Sequence, residues 1–73
     1  MPLRKIKSEI TGSLWKVLKA PGDAVEEDEP IMILESMKME IPVVADAPGK
    51  VAEILVAEGE PVSEGQVVAT IDA

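Results

Sequence analysis

The sequence predicts an all-β domain, a small two-sheet sandwich or flattened barrel, and three observations support this prediction. Short apolar runs alternate with turn signals, and no helical periodicity is apparent. The chain repeats itself after 37 residues, so one unit of structure occurs twice. A central segment from Pro30 to Val44 reads as two strands joined by a short polar turn. Two such units packed face to face would be related by an approximate two-fold axis.

The internal repeat aligns residues 12–35 with residues 49–72 without a gap. Glycines match glycines, as at Gly22 and Gly59, and apolar positions match in kind. Each copy reads as a glycine, a strand, a glycine-acidic turn, a valine, a second turn and another strand. The period covers half the chain, which indicates a duplication and not a longer array of repeats.

The last strand of each copy alternates as a half-buried strand does. We expect one set of side chains to point inward, namely Val67, Ala69 and Ile71, and the other set outward, namely Val68, Thr70 and Asp72. The repeat carries this assignment to Met32 and Leu34, with Ile41 and Val43 opposite them in the central hairpin. Just before the last strand, Gly65 corresponds to Asp28 of the first copy, which predicts a positive-φ turn at both positions.

Pro42 limits the register of the central hairpin, because a proline cannot donate to a strand ladder. A two-residue loop of Met37 and Lys38 places Pro42 opposite Ile33 in a pair that needs no proline amide. A three-residue loop of residues 36–38 also spares the proline. In both arrangements Lys38 lies in the loop, at the extreme end of the hairpin.

The two-residue loop has consequences that a simple surface turn would not require. It pairs Ser36 with Met39 and sets Glu35 opposite Glu40, a like-charge pair that is mildly unfavourable. It also asks for positive φ in a loop that contains no Gly, Asn or Asp, which costs an unbranched residue about 1–2 kcal/mol. Departures of this kind are expected at functional sites, which makes Lys38 the candidate functional residue. The alternative is a solvated tip without a function, where water screens the repulsion and exposed Lys and Glu are ordinary.

Composition excludes several classes of function. The 73 residues allow one small domain, which we assign to the whole chain, residues 1–73. The chain has no Cys and no His, which leaves no thiol or His-based catalytic site, and we expect neither catalytic residues nor a metal. The acidic run of residues 26–29 is expected to be a solvated turn. A net charge of -7 disfavours nucleic acid and membrane partners, and we expect a cytoplasmic protein that is monomeric when isolated.

The aromatic and sulfur-containing residues are assigned by position. Trp15 is the only aromatic residue, and its repeat partner is Ala52, which favours a partly buried packing role over ligand contact. Met32 is expected in the core. Met37 and Met39, on either side of Lys38, remain as candidates for recognition.

Residues 35–40, E-S-M-K-M-E, resemble the biotin attachment motif, in which a lysine between two methionines is acylated by biotin. Nearly all of the chain from Ile6 onward resembles the biotinyl/lipoyl attachment domain family, especially its free-standing members, through segments such as I-T-G-S-L-W-K-V and A-P-G-K-V-A-E-I-L-V. The departures are modest: Thr11 stands where the family often has Pro, and Asp28 replaces a frequent Gly. The resemblance implies a barrel-sandwich hybrid, a flattened barrel of two four-stranded antiparallel sheets with the modified lysine on a hairpin turn.

The resemblance also implies a function. Lys38 would be biotinylated by a biotin protein ligase, and a set of neighbours would serve ligase recognition, namely Glu35, Ser36, Met37, Met39 and Glu40. The biotin would then carry carboxyl groups between a biotin carboxylase and a carboxyltransferase. No thumb-like insertion and no linker rich in Pro and Ala is visible, so we expect a stand-alone carrier subunit of a biotin-dependent carboxylase and not an enzyme.

Two other functions are considered. The lipoyl family also places an acidic residue three positions before its lysine, as Glu35 is here, so lipoate attached by a lipoyl ligase is the nearest alternative. That family more often has Asp before the lysine and a small residue after it, whereas Met37 and Met39 stand here, which favours biotin. An unmodified barrel used as a protein interaction module would leave the strained tip unexplained.

Overall fold

The structure is a computed structural model that describes residues 3–73. Within this range the chain forms eight β-strands and no helix, so it contains no helix able to span a membrane. The strands are β1 (Leu3–Lys7), β2 (Gly12–Val17), β3 (Ala24–Val25), β4 (Pro30–Ser36), β5 (Met39–Val44), β6 (Gly49–Ile54), β7 (Pro61–Val62) and β8 (Val67–Asp72). The all-β prediction is confirmed, and the cytoplasmic location stays a prediction.

The strands form two four-stranded sheets in which every pair is antiparallel. The terminal sheet has the order β1-β8-β6-β3, and the hairpin sheet has the order β5-β4-β2-β7. Moving 37 residues along the chain converts β1, β2, β3 and β4 into β5, β6, β7 and β8. The same step converts one strand order into the other, so the predicted two-fold pseudo-symmetry is present in the topology.

The turns of each half are hydrogen-bonded to strands of the other half. The Gly22 N–H donates to the Val51 carbonyl oxygen at 2.7 Å, and 37 residues later the Gly59 N–H donates to the Leu14 carbonyl oxygen at 2.7 Å. Of the six strand pairs, only β2–β4 and β6–β8 lie within one half. The two halves are therefore interlocked, and each supplies the backbone partners that the other needs.

The positive-φ turn before the last strand of each half is confirmed. Asp28 has φ 68° and Gly65 has φ 84°. The Asp28 N–H donates to the Ala45 carbonyl oxygen at 2.8 Å, and the Gly65 N–H donates to the Ser8 carbonyl oxygen at 2.8 Å. Asp is one of the few residues other than Gly that tolerate this conformation, which explains the exchange between the copies.

The alternation in β8 is correct for Ala69, Ile71 and Asp72 and fails at the start of the strand and at Thr70. Ala69 and Ile71 are fully buried and Asp72 is exposed, as predicted. Val68 was expected outside but is fully buried in the core, whereas Val67 is only partly buried. The cause is a bulge, because the pairing of β1 with β8 passes from Ala69 directly to Val67 and leaves Val68 as an extra residue.

Thr70 faces outward in register but is only 8% exposed, and its hydroxyl has no hydrogen-bond partner among the described residues. It lies on a central strand between Lys5 and Glu53, which flank it on the neighbouring strands. An outward position on a central strand is therefore not always a solvated one.

The core agrees with the inward assignments in the hairpin sheet. Met32 and Leu34 are fully buried, Val43 is 8% exposed, and Ile41 is partly buried. Trp15 was expected to be partly buried, but it is 44% exposed and lies outside the core cluster. The reason is again a bulge, since the pairing of β2 with β4 skips Trp15.

The hairpin tip lies at the opposite end of the molecule from the pair that Leu3 forms with Asp72. Leu3 pairs with Asp72 at one end of the terminal sheet, and β1 ends at Lys7 at the other. Just beyond Lys7, the Thr11 hydroxyl accepts a hydrogen bond from the Glu64 N–H at 3.0 Å, and the Thr11 carbonyl oxygen contacts the tip. The long dimension of the molecule is 36 Å against 17 Å for the other two, so the tip is well separated from the chain ends.

Two ion pairs tie strands or turns together. The Arg4 guanidinium in β1 donates two hydrogen bonds, of 3.0 and 2.9 Å, to the carboxylate of Asp46, which follows β5 in the other sheet. This bonding raises the pKa of Arg4 and lowers the pKa of Asp46. The Lys19 Nζ lies 2.6 Å from the Glu29 Oε2, which raises the pKa of Lys19 and lowers that of Glu29. Because folding lowers both carboxyl pKa values, these pairs favour the folded state above roughly pH 4, and their contribution is lost as the pH falls further.

Leu34 and Ile71 occupy equivalent, fully buried places in the two halves. We predict that Leu34→Ala and Ile71→Ala each lower the free energy of unfolding by about 2–5 kcal/mol, because each truncation leaves a cavity in the shared core. Urea unfolding followed by circular dichroism measures this loss. Leu55, which is 47% exposed, provides the control, and Leu55→Ala should change stability by no more than about 0.5 kcal/mol. Wild-type stability of either core variant would contradict the assignment.

Candidate functional site at the hairpin tip

The β4–β5 hairpin has the register that Pro42 predicts. Ser36 pairs with Met39, and Ile33 pairs with Pro42. The loop therefore has two residues, and the three-residue alternative is wrong. Lys38 occupies the second loop position.

Both loop residues have positive φ, 52° at Met37 and 64° at Lys38. This is the conformation of a type I′ hairpin turn, which is usually formed by Asn and Gly because side chains with a Cβ are strained there. Met37 is 91% exposed, so no burial of its own side chain compensates the strain. A strained turn of exposed residues is expected where the direction of a side chain matters for function.

β2 and the segment that precedes it contact the end of β4, at the base of the tip. A Cβ placed on Gly12 would lie 2.4 Å from the Glu35 carbonyl oxygen, so only glycine allows β2 to approach the hairpin this closely. The Ser36 hydroxyl donates to the Thr11 carbonyl oxygen at 3.0 Å, and the Thr11 hydroxyl accepts the Glu64 N–H at 3.0 Å. These contacts orient the base of the turn.

Sequence reasoning missed the roles of Thr11 and Gly12 at the site. It assigned Ser36 to ligase recognition, which stays a prediction, and the structure shows that the Ser36 hydroxyl bonds to the Thr11 carbonyl oxygen. One signal was available: Gly12 is repeated as Gly49, whose Cβ would lie 2.5 Å from the Asp72 carbonyl oxygen at the other end of the molecule. A glycine kept in both copies marks either a close backbone approach, as at Gly12 and Gly49, or a positive-φ turn, as at Gly22 and Gly59.

The side chains around the tip leave the amine accessible. Lys38 is exposed, as are Met37 and Met39, and the two methionines are 91% and 63% exposed. Glu35 and Glu40 face each other across the strands, and both are exposed. Among residues 3–73, ion pairs join Arg4 to Asp46 and Lys19 to Glu29, so the tip carboxylates and Lys38 take part in neither pair.

The site is an exposed turn and not a pocket. A groove between the edge strands β1 and β5 has apolar walls that include Ile6, Ile41 and Val43, but Lys38 does not line it. The described residues contain no group of acidic side chains that could hold a metal ion. What the arrangement offers chemically is one exposed primary amine at the end of the hairpin.

A rigid β domain that displays a lysine at its far end has the architecture of a carrier, a protein that holds a covalently attached group for other proteins to act on. The family model described as biotin-requiring enzyme matches residues 5–71, and the chain belongs to this family of biotin/lipoyl attachment domains. It is a non-catalytic carrier domain, and the covalent cofactor of its family is biotin or lipoate.

The chain is similar to two kinds of protein, small attachment domains and one part of a large carboxylase. The chain is 48% identical over 63 residues to the biotin/lipoyl attachment protein of Bacillus subtilis, covering 86% of each chain. The fold is similar to part of the urea carboxylase of Kluyveromyces lactis, with a TM-score of 0.94 and 40% identity over 99% of this chain and 6% of that one. It is also similar to the lipoyl domain of the 2-oxoglutarate dehydrogenase complex of Azotobacter vinelandii, with a TM-score of 0.72 and 35% identity over 86% and 80% of the two chains. The chain thus matches whole small attachment domains and a small part of a large carboxylase.

Gly12 and Gly49 make a matched pair for testing how the tip is held. We predict that Gly12→Ala and Gly49→Ala each destabilise the fold by roughly 1–3 kcal/mol, because each new Cβ would overlap a backbone carbonyl oxygen. Only Gly12→Ala should also shift the amide resonances of residues 36–39, since only Gly12 lies against the hairpin. Nitrogen-15 NMR spectra of the two variants compare these effects, and equal perturbation of the tip by both would contradict the assignment.

Proposed function

We propose that Lys38 is the attachment site, that a biotin protein ligase joins biotin to its amine, and that the chain serves as the biotin carrier subunit of a carboxylase. The observation that carries this proposal is the strained, exposed turn that presents Lys38 between two exposed methionines. Family membership supports it, because the same turn is where the attachment motif places the modified lysine.

The chemistry required of the domain is limited. A lysine amine is a nucleophile only when neutral, so the ligase must supply the deprotonation as well as the activated acyl group. The residues that fit this encounter are Met37 and Met39 beside the amine and the carboxylates of Glu35 and Glu40. Ser36 contributes by holding the base of the turn.

The attached biotin supplies the carboxyl-carrying chemistry when it is present. The domain provides a fixed anchor at one end of a 36 Å molecule, well away from the chain ends. Tethering raises the effective concentration of the carried group at a biotin carboxylase and at a carboxyltransferase. Catalytic groups belong to those partners, and we propose that residues 1–73 act as one monomeric domain between them.

Biotin is the favoured cofactor because both neighbours of Lys38 are methionine and because the chain is similar to part of a carboxylase. Lipoate remains the second candidate for two reasons. The chain is also similar to a lipoyl domain, and Glu35 stands three positions before the lysine, as an acidic residue does in the lipoyl motif.

Exchanging Lys38 and Met39 tests whether the position of the amine matters. The exchange keeps composition and charge but moves the amine from the turn into the first ladder pair, opposite Ser36. We predict a folded protein that accepts biotin at no more than about a hundredth of the wild-type rate, since misplacing a reacting group by about 1 Å already costs about that much. Intact mass measures the rate and peptide mapping locates the label, with Lys38→Arg as the unlabelled control. Labelling chiefly at Lys16, Lys19 or Lys50, or near-normal labelling of the exchanged protein, would refute the role of the turn.

The residue before the lysine tests the choice of cofactor. We predict that Met37→Asp shifts acceptance from biotin towards lipoate, because the lipoyl motif more often has Asp there. Met37 is almost fully exposed, so the change should leave the fold intact. Parallel labelling with purified biotin and lipoyl ligases gives the ratio of the two rates, and an unchanged ratio would show that Met37 does not discriminate.

A further inference from the structure

Because the fold is duplicated, comparing equivalent positions of the two sheets shows which surface residues the fold requires. Every position of the outer face of the hairpin sheet has an equivalent, 37 residues away, on the outer face of the terminal sheet. Both faces have the same backbone pairing. A difference in side chains between the two faces is therefore not demanded by the architecture.

The two outer faces differ sharply in polarity. On the hairpin sheet, Lys16, Ile33 and Pro42 lie in one row across three strands. The equivalent row of the terminal sheet is Glu53, Thr70 and Lys5. Ile33 and Pro42 on the hairpin sheet thus stand where the terminal sheet has the hydroxyl of Thr70 and the ammonium of Lys5.

Trp15 adds to the apolar row on the hairpin sheet. Its side chain is outside the core, 44% exposed, and its ring centroid lies 5.7 Å from the Nζ of Lys16, which is on the outer face. The equivalent of Trp15 is Ala52, so the bulge itself does not need an aromatic ring. We call Trp15, Ile33 and Pro42 the apolar row.

The next row towards the tip carries charge without a partner. Glu35 and Glu40 face each other between the apolar row and Lys38, and neither takes part in the ion pairs of residues 3–73. Like charges directly opposite across two strands are unfavourable, and a cation placed over them would relieve the repulsion. Their equivalents are Asp72 and Leu3, so the paired carboxylates are also peculiar to the hairpin sheet.

We propose that this outer face of the hairpin sheet is the docking surface for the ligase that acylates Lys38, with a basic group of the ligase over Glu35 and Glu40 and an apolar patch over the apolar row. The inference rests on the proposed function of Lys38. The rows for Ile33–Pro42 and Ser36–Met39 are three steps apart, about 10 Å along the strands. A specific interface buries roughly 800 Å² on each partner, about a sixth of the 4536 Å² surface of this domain, so an interface centred near the tip is large enough to include the apolar row.

The reach of the reacting group favours the ligase over a carboxylase as the occupant. The ligase acts on the bare amine, which extends from the turn by one lysine side chain, so the enzyme must lie flush against the tip. A carboxylase acts at the end of the longer acylated arm and can keep its distance from the sheet. Trp is enriched among the residues that contribute most of the binding energy of an interface, and Trp15 is exposed on this face.

The test uses the residues that the other sheet already tolerates. Trp15→Ala and Ile33→Thr give the hairpin sheet the residue types that the terminal sheet has at the equivalent positions, Ala52 and Thr70. Leu55→Ala is the control, because Leu55 is exposed to nearly the same extent as Trp15 but follows β6 of the terminal sheet. Circular dichroism checks that each variant is folded. Biotin incorporation is then measured against the concentration of the carrier, using purified biotin protein ligase, biotin and ATP.

We expect Trp15→Ala to raise the KM for the carrier roughly tenfold or more with little change in kcat, as for truncation of an interface aromatic, and Ile33→Thr to raise it less. Leu55→Ala should behave as wild type. Glu35→Gln with Glu40→Gln should raise the KM and reduce its dependence on salt, because the screened attraction is removed.

A second measurement keeps the proposal falsifiable if a variant is unstable. Nitrogen-15 spectra of the full chain carrying Lys38→Arg, titrated with the ligase, should show shifts at Trp15, Ile33 and Glu35 and none at Ala52, Thr70 and Asp72. If the wild-type protein is labelled normally but the variants keep the wild-type KM, the docking surface is overturned and the proposed function is not. The same holds if the shifts are confined to residues 36–40. Failure of the wild-type protein to accept any label would overturn the proposed function as well.

Discussion

The interlocked backbone pairing between the two halves is the constraint on which the rest of this structure depends. Four of the six strand pairs join one half to the other, and the glycine turns of each half donate to strands of its partner. Neither half could satisfy its backbone alone. A chain of 73 residues without disulfides gains a single shared core in this way, and that core supplies the rigidity that the turn at Lys38 requires.

Rigidity matters because the tip is conformationally costly. Met37 and Lys38 hold positive φ without burial of their own side chains, so the strain must be offset by the strands that lead into the turn. The register set by Pro42, the close approach of Gly12 and the hydrogen bond of Ser36 all act on those strands. The result is a turn whose backbone holds Lys38 at the end of an elongated domain.

The duplication separates what the fold needs from what the site needs. Two pairs of positions kept in kind serve the fold, since Leu34 and Ile71 are fully buried and Gly12 and Gly49 lie against a backbone. Positions that differ are mostly exposed, and Trp15 with Ala52 is the clearest case. A symmetric frame thus carries an asymmetric surface, and the turn that presents Lys38 lies at one of its two related ends.

The sequence by itself determined the repeat, the all-β class, the register of the central hairpin and the place of Lys38 within it, because glycines, prolines and period-two alternation act locally along the chain. Only the tertiary structure decided the burial of Val68 and Thr70 and the exposure of Trp15. It also decided the contacts of Thr11 and Gly12 with the base of the tip. Bulges shift side chains between faces, and the bulges here arise from pairing between strands that are distant in sequence. Burial on a central strand likewise depends on the strands at its sides, and local patterns cannot specify those.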